Sequence, residues 1–212
     1  MKNILWLLRT IFKALGAFYS NNFYIKAGLA LSIPYSAMVS RKLGYCGKNF
    51  YLYKGSRIIG DTRRLFVGDN VSFGRRSIVE IYPNFKKQVF DQRIIIGNNC
   101  SFGEEAHLTA INGIRIGDGL LTGRRVLISD NSHGCYNSDI TCSHEAPIDR
   151  ELYSKGSVVI GNNVWIGDNV VILSGISIGT GSIIGANSVV TKSIPPNTIV
   201  AGNPAKPIKT YK

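Results

Sequence analysis

Between residues 160 and 195 the chain reads IGNNVW, IGDNVV, ILSGIS, IGTGSI, IGANSV and VTKSIP, consecutive units of six residues. Each opens with Ile or Val, usually continues with Gly, and carries a small or β-branched residue at its fifth place. The same phase returns earlier, as VGDNVS and FGRRSI at 67–78, IGNNCS and FGEEAH at 96–107, and IGDGLL, TGRRVL and ISDNSH at 116–133. Ordinary half-buried strands alternate with a period of two, and amphipathic helices with 3.6. A period of six means short strands stacked coil upon coil, with an apolar residue of each strand pointing inward. Glycine after the aliphatic residue is expected to permit a sharp backbone turn at each corner, and three corners per coil make a triangular prism. The expected fold class is therefore all-β, a parallel β-helix of hexapeptide repeats.

Two stretches break the period, at 80–93 (EIYPNFKKQVFDQR) and at 134–157, immediately after His133. Insertions in a solenoid leave the prism as surface loops and tend to carry binding function. The expected organisation is a helical segment over 1–45, the prism over 50–199 with its loop 134–157, and a tail over 200–212.

At 44% hydrophobic and 18% charged, the 212 residues have the balance of one globular domain. Lys and Arg outnumber Asp and Glu by 25 to 13, a field that attracts phosphates, anionic lipid headgroups or nucleic acid. No nucleic-acid motif or aromatic-basic interleaving is present, so no nucleic acid is expected as partner. Cys46, Cys100, Cys135 and Cys142 form no CxxC pair and read as reduced cytosolic thiols.

Residues 4–19, ILWLLRTIFKALGAFY, follow helical spacing, with Lys2, Arg9, Lys13 and Ser20 on one stripe among apolar residues. Arg9 and Lys13 interrupt the run, and the next one, AGLALSIPYSAMV, is short and broken by Pro34, so neither is expected to span a bilayer. The helix can lie in the headgroup layer of an anionic membrane, on the cytoplasmic face, or pack on its own domain or a neighbouring subunit.

The stretches GSVVIGNNVWIGDNVVILSGISIG, GANSVVTKSIPPNTIVAGNPAKPI and RRVLISDNSHG resemble the hexapeptide-repeat acyltransferases over about residues 60–209, in particular sugar O-acetyltransferases of the galactoside and maltose type. SDNSHG, AHLTAING and the basic amino-terminal helix further resemble enzymes that O-acetylate O-antigen, capsule or other surface-polysaccharide units. The resemblance implies a left-handed helix, assembly as a homotrimer, acetyl-CoA as co-substrate, no metal, and a sugar or glycan acceptor that can be lipid-linked. The family's catalytic His follows a V-x-x-S run, matched here by Val126, Ser129 and His133. Many surface-polysaccharide members read DHxH, whereas this chain reads Asp130, Asn131, Ser132, His133, keeping only the second His.

Imidazole suits the chemistry, because a sugar hydroxyl needs a base that titrates near neutrality to take its proton as it attacks a thioester. Asp130 is expected to orient that ring or stabilise the imidazolium. By family position Glu105, His107 and Asn112 would hold acceptor hydroxyls, and Trp165 would lie beside the catalytic His and shape the acyl and acceptor pocket. Ala186 and Thr191 match positions along the pantetheine arm, and Lys206 and Lys209 match basic residues that meet the CoA phosphates. His144 is given no role. A γ-class carbonic anhydrase shares the prism but needs three zinc-binding histidines with HxxxxH spacing, which is absent. Two rivals keep the fold: a non-catalytic trimeric scaffold, and an N-acetyltransferase of amino sugars.

Overall fold

The computed structural model describes Thr10, residues 21–135 and residues 145–211. The expected helix over 4–19 lies almost wholly outside the described residues, as do Cys142 and His144.

The prism is present as a three-faced parallel β-helix. Its first face stacks Tyr45–Cys46, Leu65–Val67, Ile94–Ile96, Ile114–Ile116, Val158–Ile160 and Ser177–Ile178. The second stacks Tyr51–Leu52, Ser72–Phe73, Ser101–Phe102, Leu121–Thr122, Trp165–Ile166 and Ile183–Ile184. It then continues through Thr198–Ala201 to the closing antiparallel strand Lys206–Thr210. The third stacks Arg57–Gly60, Ile78–Ile81, His107–Ala110, Leu127–Ser129, Val171–Ile172 and Val189–Val190. Six coils result, each stacked in parallel register on the next.

The first and fifth places of each unit supply the core. Ile160, Ile166 and Ile172, which open units, are at most 1% exposed, and so are the fifth-place Val164 and Val170. Phe73 and Phe102 stack within the prism with centroids 4.3 Å apart and planes within 2°. Burial of apolar surface in such columns is the main stabilising term, at about 25 cal/mol per Å².

The reason for the second-place glycines differs from the expectation. The left-handed backbone conformation sits at the fourth place of the unit, for example Asn163 at φ 54° and Asn169 at φ 57°, residues whose short amide side chains tolerate it. The second-place glycine instead makes room between coils. A Cβ on Gly117 would lie 2.2 Å from Asn162 Oδ1 and 3.0 Å from the Asn162 backbone nitrogen. That oxygen is needed where it is, because Asn162 Oδ1 accepts the Asp118 N–H at 2.8 Å. Asp118 Oδ1 accepts from Asn98 at 2.6 Å, and Asn98 Oδ1 from Asp69 at 2.8 Å. Third-place Asp and Asn thus form a ladder along one corner, each satisfying a backbone donor of the coil before it.

A helix, α1, spans Asn21–Ser40 and closes the amino-terminal end of the prism. Ser36, buried, accepts the Leu52 N–H on its Oγ at 2.8 Å, occupying a donor of the edge strand Tyr51–Leu52. No helix among the described residues is long and apolar enough to cross a membrane. Pro34 stands inside α1. Cys46, Cys100 and Cys135 are free, and burial pushes the Cys46 and Cys100 thiols above their ordinary range.

Candidate active site

Both insertions leave the prism at the same edge, where the third face turns into the first. Residues 82–93 leave after Ile78–Ile81, and residues 130–157 leave after Leu127–Ser129, with the undisturbed corner Ile111–Gly113 between them. The first insertion is a hairpin, Asn84–Phe85 against Gln88–Val89. The second starts and ends as an antiparallel pair, Ser132–His133 against Leu152–Tyr153.

The two are clasped together. Gln88 donates from Nε2 to the Leu152 carbonyl at 2.9 Å and accepts the Leu152 N–H on Oε1 at 2.7 Å. Lys86 Nζ meets Asp149 Oδ1 at 3.0 Å. His133, exposed, lies in this clasp with its imidazole edge-on to the Phe85 ring, centroids 5.6 Å apart. Phe85 and Gln88 lie in a stretch that breaks the repeat, so no periodicity marked them.

Asp130 does not take the role expected of it. It is fully buried, and its carboxylate accepts from the backbone N–H groups of Ile111 at 2.8 Å, of Asn112 at 2.8 Å and of Gly113, and from Asn131 Nδ2 at 3.3 Å. Those bonds commit both oxygens to the corner of the preceding coil, so Asp130 fixes the origin of the loop rather than the imidazole. Burial raises its pKa against the pull of the three N–H donors.

The expected trio of Glu105, His107 and Asn112 is split. Glu105, at φ 59°, sits at the corner between the second and third faces, where Arg76 Nε donates to its Oε1 at 3.0 Å. That pairing holds the Glu105 carboxyl below its ordinary range. Asn112 is exposed at the opposite end of the same coil's third face, with its backbone on Asp130. His107 stands on the face itself, with Nε2 3.0 Å from Glu80 Oε2. Burial, then a hydrogen bond to Glu80, raises the pKa of the neighbouring Tyr82. Further along, Asn131 Nδ2 reaches Thr109 Oγ1 at 3.2 Å. A polar strip of Glu80, His107, Thr109 and Asn131 therefore borders the edge that carries His133, and Glu80, with Tyr82 beside it, was left unmarked by the repeat pattern.

Trp165 is 53% exposed on the second face, in register with Leu121 and Ile183. That is a different face of the prism from the edge that carries His133, so within one chain the two are not neighbours. Ala186 and Thr191 are exposed at the two ends of the last third-face strand, Val189–Val190. Thr191 and Lys206 line one cavity of about 260 Å³ with Pro195, Val200 and Pro204. Lys209 lies on the second face in register with Ile199.

Comparison with known proteins agrees with this architecture. Residues 157–192 match the family model described as bacterial transferase hexapeptide (six repeats), and residues 93–121 match the hexapeptide repeat of succinyl-transferase. An Escherichia coli K12 protein named as a lipopolysaccharide biosynthesis O-acetyl transferase, WbbJ, is 42% identical over 119 residues, 56% of this chain and 61% of its own length. The galactoside O-acetyltransferase of the same organism is 40% identical over 122 residues, 57% of this chain and 55% of its own. The chain thus spans less than two thirds of these curated relatives. In fold it is similar to a variant of AntD, an N-acyltransferase from Bacillus cereus solved with dTDP and coenzyme A, with a TM-score of 0.66, 20% identity, and coverage of 92% of this chain and 90% of that one. By its repeats and its prism, the chain carries the bacterial transferase hexapeptide over residues 157–192 and is similar to these O-acetyltransferases over somewhat more than half of its length.

Proposed function

We propose that the protein is an acetyl-CoA-dependent O-acetyltransferase acting on a sugar hydroxyl in surface-polysaccharide biosynthesis, with His133 as general base. The observation that carries this reading is the placement of an exposed imidazole where both insertions close over one prism edge, beside the strip Glu80, His107, Thr109 and Asn131. A scaffold has no need of a solvent-exposed histidine clasped by two loops, whereas a transferase needs a base at the rim of a polar recess.

In the reaction His133 takes the acceptor hydroxyl proton as its oxygen bonds to the acetyl carbonyl carbon. The carbon–sulfur bond then breaks, and the coenzyme leaves as the thiol with the proton returned. His107 and Asn112 remain the acceptor contacts, now with Glu80 holding the His107 ring. Glu105, paired with Arg76, is dropped from that set.

The far end of the prism suits the coenzyme. The exposed Thr191 and Lys206 border one cavity, and Lys192, Lys206 and Lys209 supply positive charge to phosphates. Trp165 on the second face and His133 at the opposite edge come together only if one prism lays its edge on a neighbour's face, which favours a homotrimer with composite sites. Peripheral residence on the cytoplasmic face of an anionic membrane fits the basic excess and gives access to a lipid-linked acceptor.

The test incubates the purified protein with acetyl-CoA and a panel of cell-surface oligosaccharides, reading thiol release and product mass. Acceptor-dependent turnover that falls by about 10² or more in His133→Ala supports the proposal. Full turnover in that variant removes His133 as base, and failure to bind acetyl-CoA removes the enzyme reading.

A further inference from the structure

The helix α1 leaves apolar side chains uncovered at its described end. Among its described side chains the most buried are small and polar: Ser32 and Ser36 are each 3% exposed, and their hydroxyls bond along the helix and to Leu52. Of its described large apolar side chains, Val39 packs on the prism core, whereas Leu31 at 75%, Met38 at 69% and Ile33 at 50% exposure are left uncovered. Leu31 and Met38, seven residues apart, share one side of the helix, and exposed apolar bulk of this kind marks an interaction surface.

The charge around this face indicates what covers it. In the first 60 residues there is no Asp or Glu, and the nine basic residues are Lys2, Arg9, Lys13, Lys26, Arg41, Lys42, Lys48, Lys54 and Arg57. Among the described ones, Arg41, Lys42, Lys48, Lys54 and Arg57 are exposed, and they follow α1 directly through the first coil. The first acidic residue is Asp61. Beneath the helix opens a cavity of about 950 Å³ whose lining pairs Leu31, Tyr35, Leu52 and Tyr53 with Lys54 and Arg57. Apolar bulk flanked by cations, with no anion among them, is complementary to a phospholipid, which offers acyl chains beneath a phosphate. A second copy of the same basic end would meet it with like charge.

We infer that the exposed side of α1, through Leu31 and Met38 with Arg41 and Lys42 at its carboxyl end, seats the amino-terminal end of the prism on an anionic phospholipid surface. This deepens the membrane contact proposed above by naming its surface. It does not depend on the chemistry of His133.

The experiment is cosedimentation of the full chain with phosphatidylcholine vesicles and with vesicles that also contain phosphatidylglycerol. The wild type is expected to pellet with the anionic vesicles and to release at high salt. Leu31→Ser with Met38→Ser, and separately Arg41→Gln with Lys42→Gln, are each expected to weaken binding about tenfold or more. The apolar-face pair is also expected to keep the circular dichroism spectrum and the molar mass from light scattering. The charge pair tests the surface independently, should the apolar-face pair fail to fold. Wild-type protein that ignores anionic vesicles overturns the inference. So does undiminished binding by both variants, which would put the contact elsewhere in the chain, or a fall in molar mass in the apolar-face variant, which would make the face an interface between copies. Turnover on a soluble acceptor is measured in parallel, so loss of the transferase reading and loss of the lipid contact register separately.

Discussion

The ring of Phe85 meets the imidazole of His133 edge-on, centroids 5.6 Å apart and planes at 77°. These residues are 48 positions apart in a chain whose core register is set by six-residue steps, and they meet because the two interruptions of that register leave by one edge. An edge-to-face pair of this kind contributes about 0.5–1.5 kcal/mol, and it limits the ring orientations open to His133. Phe85→Ala is therefore expected to lower kcat by a factor of roughly 3 to 10, the rate equivalent of that energy, with acetyl-CoA affinity unchanged. Steady-state kinetics on the identified acceptor check this. An unchanged kcat would show that Phe85 leaves the base alone.

Gln88→Ala removes both hydrogen bonds that tie the hairpin to Leu152. At about 0.5–1.5 kcal/mol net for each bond, the clasp should open more often without melting the prism. Amide exchange of the hairpin and of Leu152–Tyr153 is expected to speed up several-fold, while exchange in Val158–Ile160 stays slow.

Asp130 gives the molecule a specific acid response. Its pKa in the folded state is raised above the ordinary aspartate value of 3.8 by burial. The folded protein therefore holds this proton more tightly than the unfolded chain. The resulting stability is fully present below the ordinary aspartate pKa and is lost as pH rises through the raised value. Asp130→Asn cannot ionise and lacks this component. Urea midpoints measured from pH 3 to 7 should show the wild type losing stability relative to Asp130→Asn as pH rises. Parallel curves would refute the assignment.

Gly117→Ala tests why the second place of the repeat is glycine. Its φ is not left-handed, so a turn explanation predicts little effect, whereas the 2.2 Å approach to Asn162 Oδ1 predicts overpacking. A destabilisation of about 1–3 kcal/mol is expected, read as a lower thermal midpoint.

Lys206→Glu with Lys209→Glu is expected to weaken acetyl-CoA binding about tenfold or more and to steepen no salt dependence, since charge-assisted contacts to phosphate are lost. Isothermal titration over a salt series checks both. Equal affinity at low salt would move the phosphate site elsewhere.

What the sequence determined by itself was everything carried by the period of six. Inward residues such as Ile160 and Val164 could be assigned one by one, because each stacks on the same place one coil earlier and the burial of apolar surface is locally encoded. His133 stood out because it ends a run in phase and begins one out of phase. What depends on contacts between non-repeating segments was left to tertiary structure. Asp130 sits three residues from His133, yet its carboxylate satisfies the donors of Ile111, Asn112 and Gly113, since a buried charge goes to the nearest unpaired N–H groups rather than to the nearest partner in sequence. Glu105 and Asn112 are close in sequence but end at opposite ends of one face. The partners of His133 and His107, Phe85 and Glu80, come from a coil or loop outside their own unit, where no local propensity could announce them. The periodic part of the chain repeats one solution to burying a backbone, whereas the site is made where that solution is interrupted and long-range contacts choose the geometry.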